Sequence, residues 1–140
     1  MDMMALIASA RQAREAAYAP YSGFLVGAAL LTKSGKVYTG CNIENAAMGP
    51  GNCAERTAIF KAVSEGEKDF KAIAVMGGAR GRAEPMGFCC PCGVCLQVMM
   101  EFCEGDFQII VAASENDYRA YTLEQLLPNG FGPKNLHDGA

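Results

Sequence analysis

Two short cysteine motifs constrain this chain more than any other feature of its sequence. The first is Cys53-Ala54-Glu55, and the second is Pro91-Cys92-Gly93-Val94-Cys95. Together they supply three thiols that suit a zinc ion and one carboxylate that could move protons beside it. Three protein ligands leave the fourth tetrahedral position free for water, which distinguishes catalytic zinc sites from closed structural ones. The chain is therefore expected to bring both motifs to one zinc ion.

Length, composition and charge limit the classes of protein to which the chain can belong. It has 140 residues, of which 51% are hydrophobic and 19% charged, and this is an ordinary globular composition. We expect one domain over residues 1–140, large enough to bury its own core. The net charge is −3 and basic residues do not cluster, which argues against a nucleic-acid partner. No apolar run reaches the roughly 18 residues of a membrane span, so no membrane partner is expected.

Cysteine usage indicates the compartment. There are seven cysteines, an odd number, and residues 1–17 lack the layout of a secretory signal. We therefore expect a cytoplasmic protein with reduced thiols. In that compartment, clustered cysteines more often bind a metal than form disulfides.

Hydrophobic periodicity and turn residues predict alternating helices and strands. The predicted elements are a helix over 3–17 ended by Pro20, strands over 26–32 and 37–41 forming a hairpin, a helix over 53–64, a strand over 70–76, a helix over 92–102, a strand over 107–113, a short edge strand over 118–121 and a helical turn over 123–127. Residues 42–52 read as an irregular loop. This order predicts an α/β fold, a three-layer α-β-α domain with a mixed sheet. The crossovers after residue 70 should be parallel and right-handed.

The spacing of the cysteines explains how one ion could be held. Cys92 and Cys95 are three residues apart at a helix start, so both thiols should project from one face. Cys53 opens the preceding helix, and helix starts favour the thiolate form. Alone, the second motif is equally compatible with a redox or structural pair, and the first motif makes a metal site the better interpretation. Cys89 and Cys90 are secondary candidates as ligands.

Two charged residues after Cys53 complete the predicted site. Three thiolates leave it negative, and Arg56 lies on the same helical face as Cys53, where it can compensate that charge. A unit charge at close range is worth about 4 kcal/mol at an effective dielectric constant of about 20, whereas a helix end offers at most about 2 kcal/mol. Glu55 is the predicted proton shuttle. Residues two apart do not share a helix face, so Glu55 must act from the open first turn. A first-turn glutamate that only complements the helix dipole is the alternative.

Cys-x-Glu followed by Pro-Cys-x-x-Cys is a known signature of zinc-dependent nucleobase deaminases. Longer segments extend the match over nearly the whole chain, and the chain resembles the small, homotetrameric class of cytidine deaminases. The segments are Tyr21-Ser22-Gly23-Phe24, Val26-Gly27-Ala28-Ala29-Leu30-Leu31, Gly40-Cys41-Asn42-Ile43-Glu44-Asn45-Ala46, Cys53-Ala54-Glu55-Arg56-Thr57-Ala58 and Leu126-Leu127-Pro128-Asn129-Gly130-Phe131-Gly132-Pro133. The resemblance implies a five-stranded mixed sheet with helices on both sides, one zinc ion per subunit and pockets shared between subunits. It also implies hydrolysis of cytidine or 2′-deoxycytidine to the uridine product and ammonia, a step of pyrimidine salvage.

The resemblance further implies which residues bind the nucleoside. Asn42 and Glu44 would hold the ribose hydroxyls, and their amide and carboxylate groups suit a diol. Phe24, and Phe131 from a neighbouring subunit, would stack on the pyrimidine, and Ala54 would contact the substrate. Taken alone, either phenylalanine is as well explained by the core, and Asn42 by loop capping.

Several residues depart from the pattern of that family. Met48 stands where a tyrosine is usual, Asn52 where an apolar residue is usual, and Leu96 where an arginine is common; Leu25 replaces a proline and Cys90 a serine. These departures keep open a deaminase of another amino-pyrimidine nucleoside or of a nucleoside-like antibiotic. A non-catalytic zinc or thiol module is the alternative outside enzymes.

Overall fold

The computed structural model describes residues 1–137, which form a five-stranded sheet and five helices. In chain order the elements are α1 (Met3–Ala13), β1 (Phe24–Thr32), β2 (Val37–Cys41), α2 (Ala54–Ser64), β3 (Phe70–Ala79), α3 (Gly93–Phe102), β4 (Gln108–Ser114), β5 (Asp117–Thr122), α4 (Leu123–Leu126) and α5 (Pro133–His137). A single 3-10 turn, Arg14–Ala16, follows α1. None of the helices within residues 1–137 is both long and apolar enough to cross a bilayer.

The sheet is mixed, as the element order predicted. Its strands lie in the order β2-β1-β3-β4-β5. β3 and β4 are parallel, and the other three neighbouring pairs are antiparallel. The β3–α3–β4 connection is therefore the predicted parallel crossover. β5 pairs with β4 alone and is the predicted edge strand.

Two separate hydrophobic cores lie on opposite faces of the sheet, which confirms the three-layer α/β fold. On one face α1 packs Leu6 and Ile7 against sheet residues such as Met76 and Ile110. On the other face α2 and α3 pack against alternate residues of the same strands. Side chains of a strand point alternately to its two faces, and this is why β1, β3 and β4 are apolar almost throughout.

The first helix and the strand limits correct the sequence-based expectations. α1 ends at Ala13 rather than at residue 17, and Pro20 does not end it. The next residue, Arg14, is buried, and its guanidinium donates hydrogen bonds of 2.8 Å each to the carbonyls of Leu25 and Gly78. Polar contacts to strand ends carry no signal in hydrophobic periodicity. β1 and β3 also reach further than predicted, and α5 was not predicted at all.

Gly40 of β2 decides how closely α2 approaches the sheet. A Cβ atom at this position would lie 2.5 Å from the amide nitrogen of Ala58 and 2.6 Å from the carbonyl oxygen of Ala54. No side chain fits in that space, so glycine allows the first turns of α2 to rest directly on β2. The contact fixes the height of Ala54 and Glu55 above the sheet.

Candidate active site

The three cysteines of the two motifs lie together at the starts of α2 and α3. Cys53 is the N-cap of α2, Cys92 is the N-cap of α3, and Cys95 lies in the first turn of α3. The Sγ atoms of Cys53 and Cys92 are 3.8 Å apart, and those of Cys92 and Cys95 are 3.5 Å apart. All three sulfur atoms lie within 4.8 Å of one another, and no other residue of the described part joins this group.

This donor set fits a tetrahedral zinc ion. Zinc–sulfur bonds of about 2.3 Å in tetrahedral geometry separate ligand sulfur atoms by roughly 3.8 Å, close to the spacing of these thiols. All seven cysteines of the chain are free, so no disulfide removes a ligand from the set. Cys89 and Cys90, the secondary candidates, are not members of the group. Three sulfur ligands would leave one tetrahedral position open.

Charge at the site favours the ionised form of the thiol that opens α2. The pKa of Cys53 falls to about 5, because the Cys95 thiol and then the Arg56 guanidinium donate hydrogen bonds to its sulfur. Arg56 Nη2 lies 3.3 Å from the Cys53 Sγ atom. None of the ion pairs within residues 1–137 involves Arg56. Its hydrogen bond therefore goes to the sulfur cluster, and its charge also opposes the rise in the pKa of Glu55.

Glu55 is buried beside the sulfur cluster, with 4% of its surface exposed. Burial raises the pKa of Glu55 to about 7, and the charge of the Cys53 thiolate adds to this rise. In a regular helix, residues 53 and 55 would lie on different faces. This restriction does not apply here, because Cys53 has extended backbone geometry at the N-cap and lies outside the helical repeat. Burial beside the sulfur cluster favours proton transfer by Glu55 over a role limited to the helix dipole, and this role stays a prediction.

A cavity of about 530 Å³ opens above the sulfur cluster. Its wall on one side is formed by Cys53, Ala54, Glu55, Arg56 and Cys92. Its wall on the other side belongs to the loop of residues 42–52, including Asn42, Glu44, Asn45, Met48 and Asn52. The volume lies within the usual range for small-molecule sites.

Asn42 has a fixed amide orientation at the edge of this cavity. Its Oδ1 accepts from the amide of Val26 at 2.9 Å, and its Nδ2 donates to the carbonyl of Phe24 at 2.8 Å. An asparagine amide has two N–H groups and two acceptor sites. One of each remains after these contacts. Asn42 therefore holds the start of β1 and still keeps a donor and an acceptor for a ligand.

Glu44 is held by the segment before β1. One carboxylate oxygen, Oε1, accepts from the amides of Tyr21 at 3.0 Å and of Ser22 at 3.1 Å. The other oxygen, Oε2, accepts from the Ser22 hydroxyl. These bonds, first the one from the Ser22 side chain, hold the pKa of Glu44 below its usual value.

The two phenylalanines predicted to stack on the substrate base do not line the cavity of a single chain. Phe24 is 39% exposed at the start of β1, and Phe131 is 58% exposed between α4 and α5. The Gln97 amide donates to the Phe131 carbonyl at 2.8 Å, which ties that segment to α3. The structure thus brings together Asn42, Glu44 and Ala54 with the sulfur cluster, and leaves both rings at the surface.

Comparison with known proteins identifies the family. Residues 2–111 match the family model described as the cytidine and deoxycytidylate deaminase zinc-binding region. This match covers well over half of the chain and includes all three clustered cysteines. The chain belongs to the cytidine deaminase family. Its fold is the three-layer α/β fold with a five-stranded mixed sheet, and its cluster of three cysteines fits zinc.

Full-length relatives and solved structures agree with this membership. The cytidine deaminase of Sporosarcina psychrophila is 48% identical over 136 residues, which cover 97% of this chain and 96% of the relative. That of Halalkalibacterium halodurans is 49% identical, over 99% of this chain and 100% of the relative. The crystal structure of cytidine deaminase from Burkholderia pseudomallei superposes with a TM-score of 0.84 at 47% identity, covering 94% of this chain and 100% of that one.

Some cavity residues of this family member were not predicted from the sequence as part of a substrate cavity, although Cys89 and Cys90 were considered as secondary metal ligands. Cys89 and Cys90 line the cavity, and burial raises the pKa of Cys89 to about 11, so its thiol stays protonated. Ser22 and Asn45 also line it. The resemblance covered Ser22 and Asn45 within longer segments, but neither spacing nor residue type singled them out. Only the three-dimensional approach of residues 21 and 22 to residue 44 reveals the role of Ser22.

Proposed function

We propose that this protein is a zinc hydrolase that deaminates cytidine and 2′-deoxycytidine to uridine and 2′-deoxyuridine with release of ammonia. The observation that carries the proposal is a buried carboxylate, Glu55, next to three clustered thiols in the wall of a cavity of about 530 Å³. Relatives that bear the name cytidine deaminase match 97% and 99% of the chain. A deamination step in pyrimidine salvage follows from this activity.

In this proposal Cys53, Cys92 and Cys95 hold one zinc ion per subunit. When bound, zinc supplies a Lewis acid that makes water nucleophilic near neutral pH. Three thiolate ligands weaken that effect by their negative charge. Arg56 offsets part of this charge through its hydrogen bond to Cys53, 3.3 Å long.

Glu55 acts as the proton carrier of the reaction. It accepts one proton from the attacking water and delivers it to N3 of the pyrimidine ring as the C4–O bond forms. It then takes the second proton, from the new C4 hydroxyl, and gives it to the amine, so that the C4–N bond breaks as the C4 carbonyl forms. Atoms balance because one water is consumed and one ammonia leaves. A buried carboxyl group with a pKa of about 7 can both accept and donate a proton near neutral pH.

The loop side of the cavity binds the sugar in this proposal. Asn42 and Glu44 receive the ribose hydroxyls with the hydrogen-bonding groups that their own contacts leave free. Ala54 is fully buried at the first position of α2, where its small side chain borders the cavity. The cavity therefore separates a sugar end from a reacting end.

We further propose a homotetramer whose subunits share their active sites. Support comes from Phe24 and Phe131, large apolar side chains that lie exposed in the single chain. In the assembly they would stack on the pyrimidine, Phe131 from a neighbouring subunit. The free thiols support a reducing, cytoplasmic location. Sedimentation equilibrium of the zinc-loaded protein tests the assembly, and a monomer that turns over cytidine at full rate would exclude shared sites.

The activity is tested by measuring zinc content and ammonia release in the same preparation. The panel contains cytidine, 2′-deoxycytidine, other amino-pyrimidine nucleosides and nucleoside-like antibiotics. We expect one zinc per chain and turnover of cytidine or 2′-deoxycytidine. Turnover confined to another member of the panel would keep the chemistry and change the substrate. Stoichiometric zinc without any ammonia release would instead favour a non-catalytic zinc module.

A further inference from the structure

We propose that Ser22 is a positioning residue that sets the sugar specificity of the site through Glu44. The inference rests on the proposed function, since it assigns the residue that orients one of the proposed sugar-binding groups. Ser22 lies in the segment between α1 and β1, lines the cavity, and makes the side-chain hydrogen bond that holds the Glu44 carboxylate.

Counting acceptor sites shows which oxygen of Glu44 can receive a ligand. A carboxylate offers about two acceptor sites on each oxygen. Oε1 already accepts two backbone N–H groups, from Tyr21 and Ser22. Among residues 1–137, Oε2 accepts only the Ser22 hydroxyl. The free acceptor site therefore lies on Oε2, the oxygen that Ser22 orients.

The Ser22 hydroxyl is itself fixed in direction. Its oxygen accepts a hydrogen bond of 3.0 Å from the amide of Phe24, the first residue of β1. Because that contact occupies a lone pair, the hydroxyl proton is left to point at Glu44. The backbone amide of Glu44 also donates to the Tyr18 carbonyl at 2.8 Å. Backbone contacts thus place the residue, and the serine hydroxyl sets the rotation of its carboxylate.

Loss of the hydroxyl should affect binding of the sugar without affecting the metal or the proton carrier. Ser22→Ala removes the donor to Oε2 but keeps both backbone donors to Oε1, so the carboxylate stays near the cavity and can rotate. Ser22→Thr restores the hydroxyl. A matched control is Ser34→Ala, since Ser34 also bonds a glutamate, Glu67, at 3.1 Å beyond the opposite end of β1.

The experiment compares competitive inhibition by uridine and by 2′,3′-dideoxyuridine, which lacks both ring hydroxyls, during cytidine turnover by the zinc-loaded enzyme. For Ser22→Ala we expect the Ki of uridine to rise about tenfold, as for loss of a hydrogen bond to a charged group. The Ki of the dideoxy compound, the zinc content and kcat should change less than about twofold on the same reasoning. Ser22→Thr and Ser34→Ala should match the wild type.

Three outcomes would overturn the inference. The first is an unchanged uridine Ki in Ser22→Ala, and the second is an equal rise for both inhibitors, which would mean a general change of the cavity. The third is a parallel fall of Tm and zinc content, which would make Ser22 only structural. If the wild-type enzyme itself does not turn over cytidine, the proposed function fails and this inference falls with it. A wild type that turns over cytidine beside an unaffected Ser22→Ala rejects the inference alone.

Discussion

The two walls of the cavity are built in opposite ways. The metal wall consists of helix starts whose neighbouring residues, such as Ala54, Ala58 and Ile59, are fully buried against the sheet. The sugar wall, named for its proposed role, is the loop of residues 42–52, in which no residue is buried. This loop is held by hydrogen bonds, including a reciprocal backbone pair of 2.9 Å each between Ile43 and Asn52.

This difference shows how one small domain combines a rigid metal centre with a binding surface that a nucleoside can enter and leave. A metal centre and its proton carrier must keep fixed distances, and close packing supplies that rigidity. A nucleoside must enter and leave, so its polar contacts have to lie where water can replace them. Substitutions on the metal wall should therefore remove function altogether, whereas substitutions on the sugar wall should change affinity or local stability by small amounts.

Removing the buried thiol of the metal wall should abolish zinc binding. Cys95→Ala takes away the buried sulfur of the cluster, and two remaining thiols do not form a zinc site of the same geometry. We expect zinc content to fall from about one to near zero per chain and ammonia release to fall with it. Cys103→Ala, at the opposite end of α3, is the control and should keep both. Full zinc content in Cys95→Ala would show that the cluster does not hold the metal.

Removing the proton carrier should separate chemistry from metal binding. Glu55→Gln keeps the shape of the side chain, so zinc content should stay at about one per chain while kcat falls by about 10²–10⁴-fold. Glu65→Gln, at the end of the same helix, should behave as wild type. Substantial activity in Glu55→Gln would assign proton transfer to another group.

The same variant should also reveal the cost of burying Glu55. Its carboxyl pKa is raised from 4.5 to about 7, so the folded state binds this proton more tightly than the unfolded state. Stability therefore falls as the pH rises through that range, and above pH 7 the ionised carboxylate opposes folding. Neutral Gln avoids this, and the Tm of the metal-free variant at pH 8 should be no lower than that of metal-free wild type.

Much of the metal wall could be predicted from the sequence, because its information is local. Cys-x-x-Cys at a helix start places two thiols on one face, and a third cysteine at another helix start completes the set. The relation of Glu55 to the cluster was harder, since it depends on the extended geometry of the Cys53 cap. A capping conformation decides that question, and residue spacing does not contain it.

The sugar wall was accessible only through resemblance, because its contacts join distant parts of the chain. Ser22 and Glu44 are 22 residues apart. Outside this wall, the buried contact between Arg14 and Gly78 joins residues 64 apart. Hydrophobic periodicity reports which face of an element is buried and carries no information on such polar pairs. This is also why the end of α1 was misplaced: a buried arginine looks like a surface residue in the sequence.

A side chain at Gly40 should displace the first turns of α2, which carry part of the metal wall. In Gly40→Ala the new methyl group would meet the backbone of Ala54 and Ala58, and backbone atoms cannot move aside without shifting α2. We expect overpacking to cost about 1–3 kcal/mol of unfolding free energy, together with weaker zinc binding. Gly87→Ala is the matched control, since no atom lies within 4 Å of its added Cβ. Urea denaturation and zinc titration measure both effects, and equal behaviour of the two variants would contradict the close approach.

The smallest effect should come from the sugar wall, at Met48. Its backbone has a φ angle of 63°, in the left-handed region that costs a non-glycine residue about 1–2 kcal/mol. Met48→Gly removes that cost and adds about 0.5–1 kcal/mol of chain entropy in the unfolded state, so the net gain in stability should be about 0.5 kcal/mol. Asn129, with a φ of 56°, is the comparison, because asparagine tolerates this region and Asn129→Gly should gain less. A gain at Met48 without loss of zinc would show that this wall depends on local backbone geometry. A loss of stability would mean that contacts of the exposed Met48 side chain stabilise the loop by more than its backbone conformation costs. The two walls would then differ less in their packing than their burial indicates.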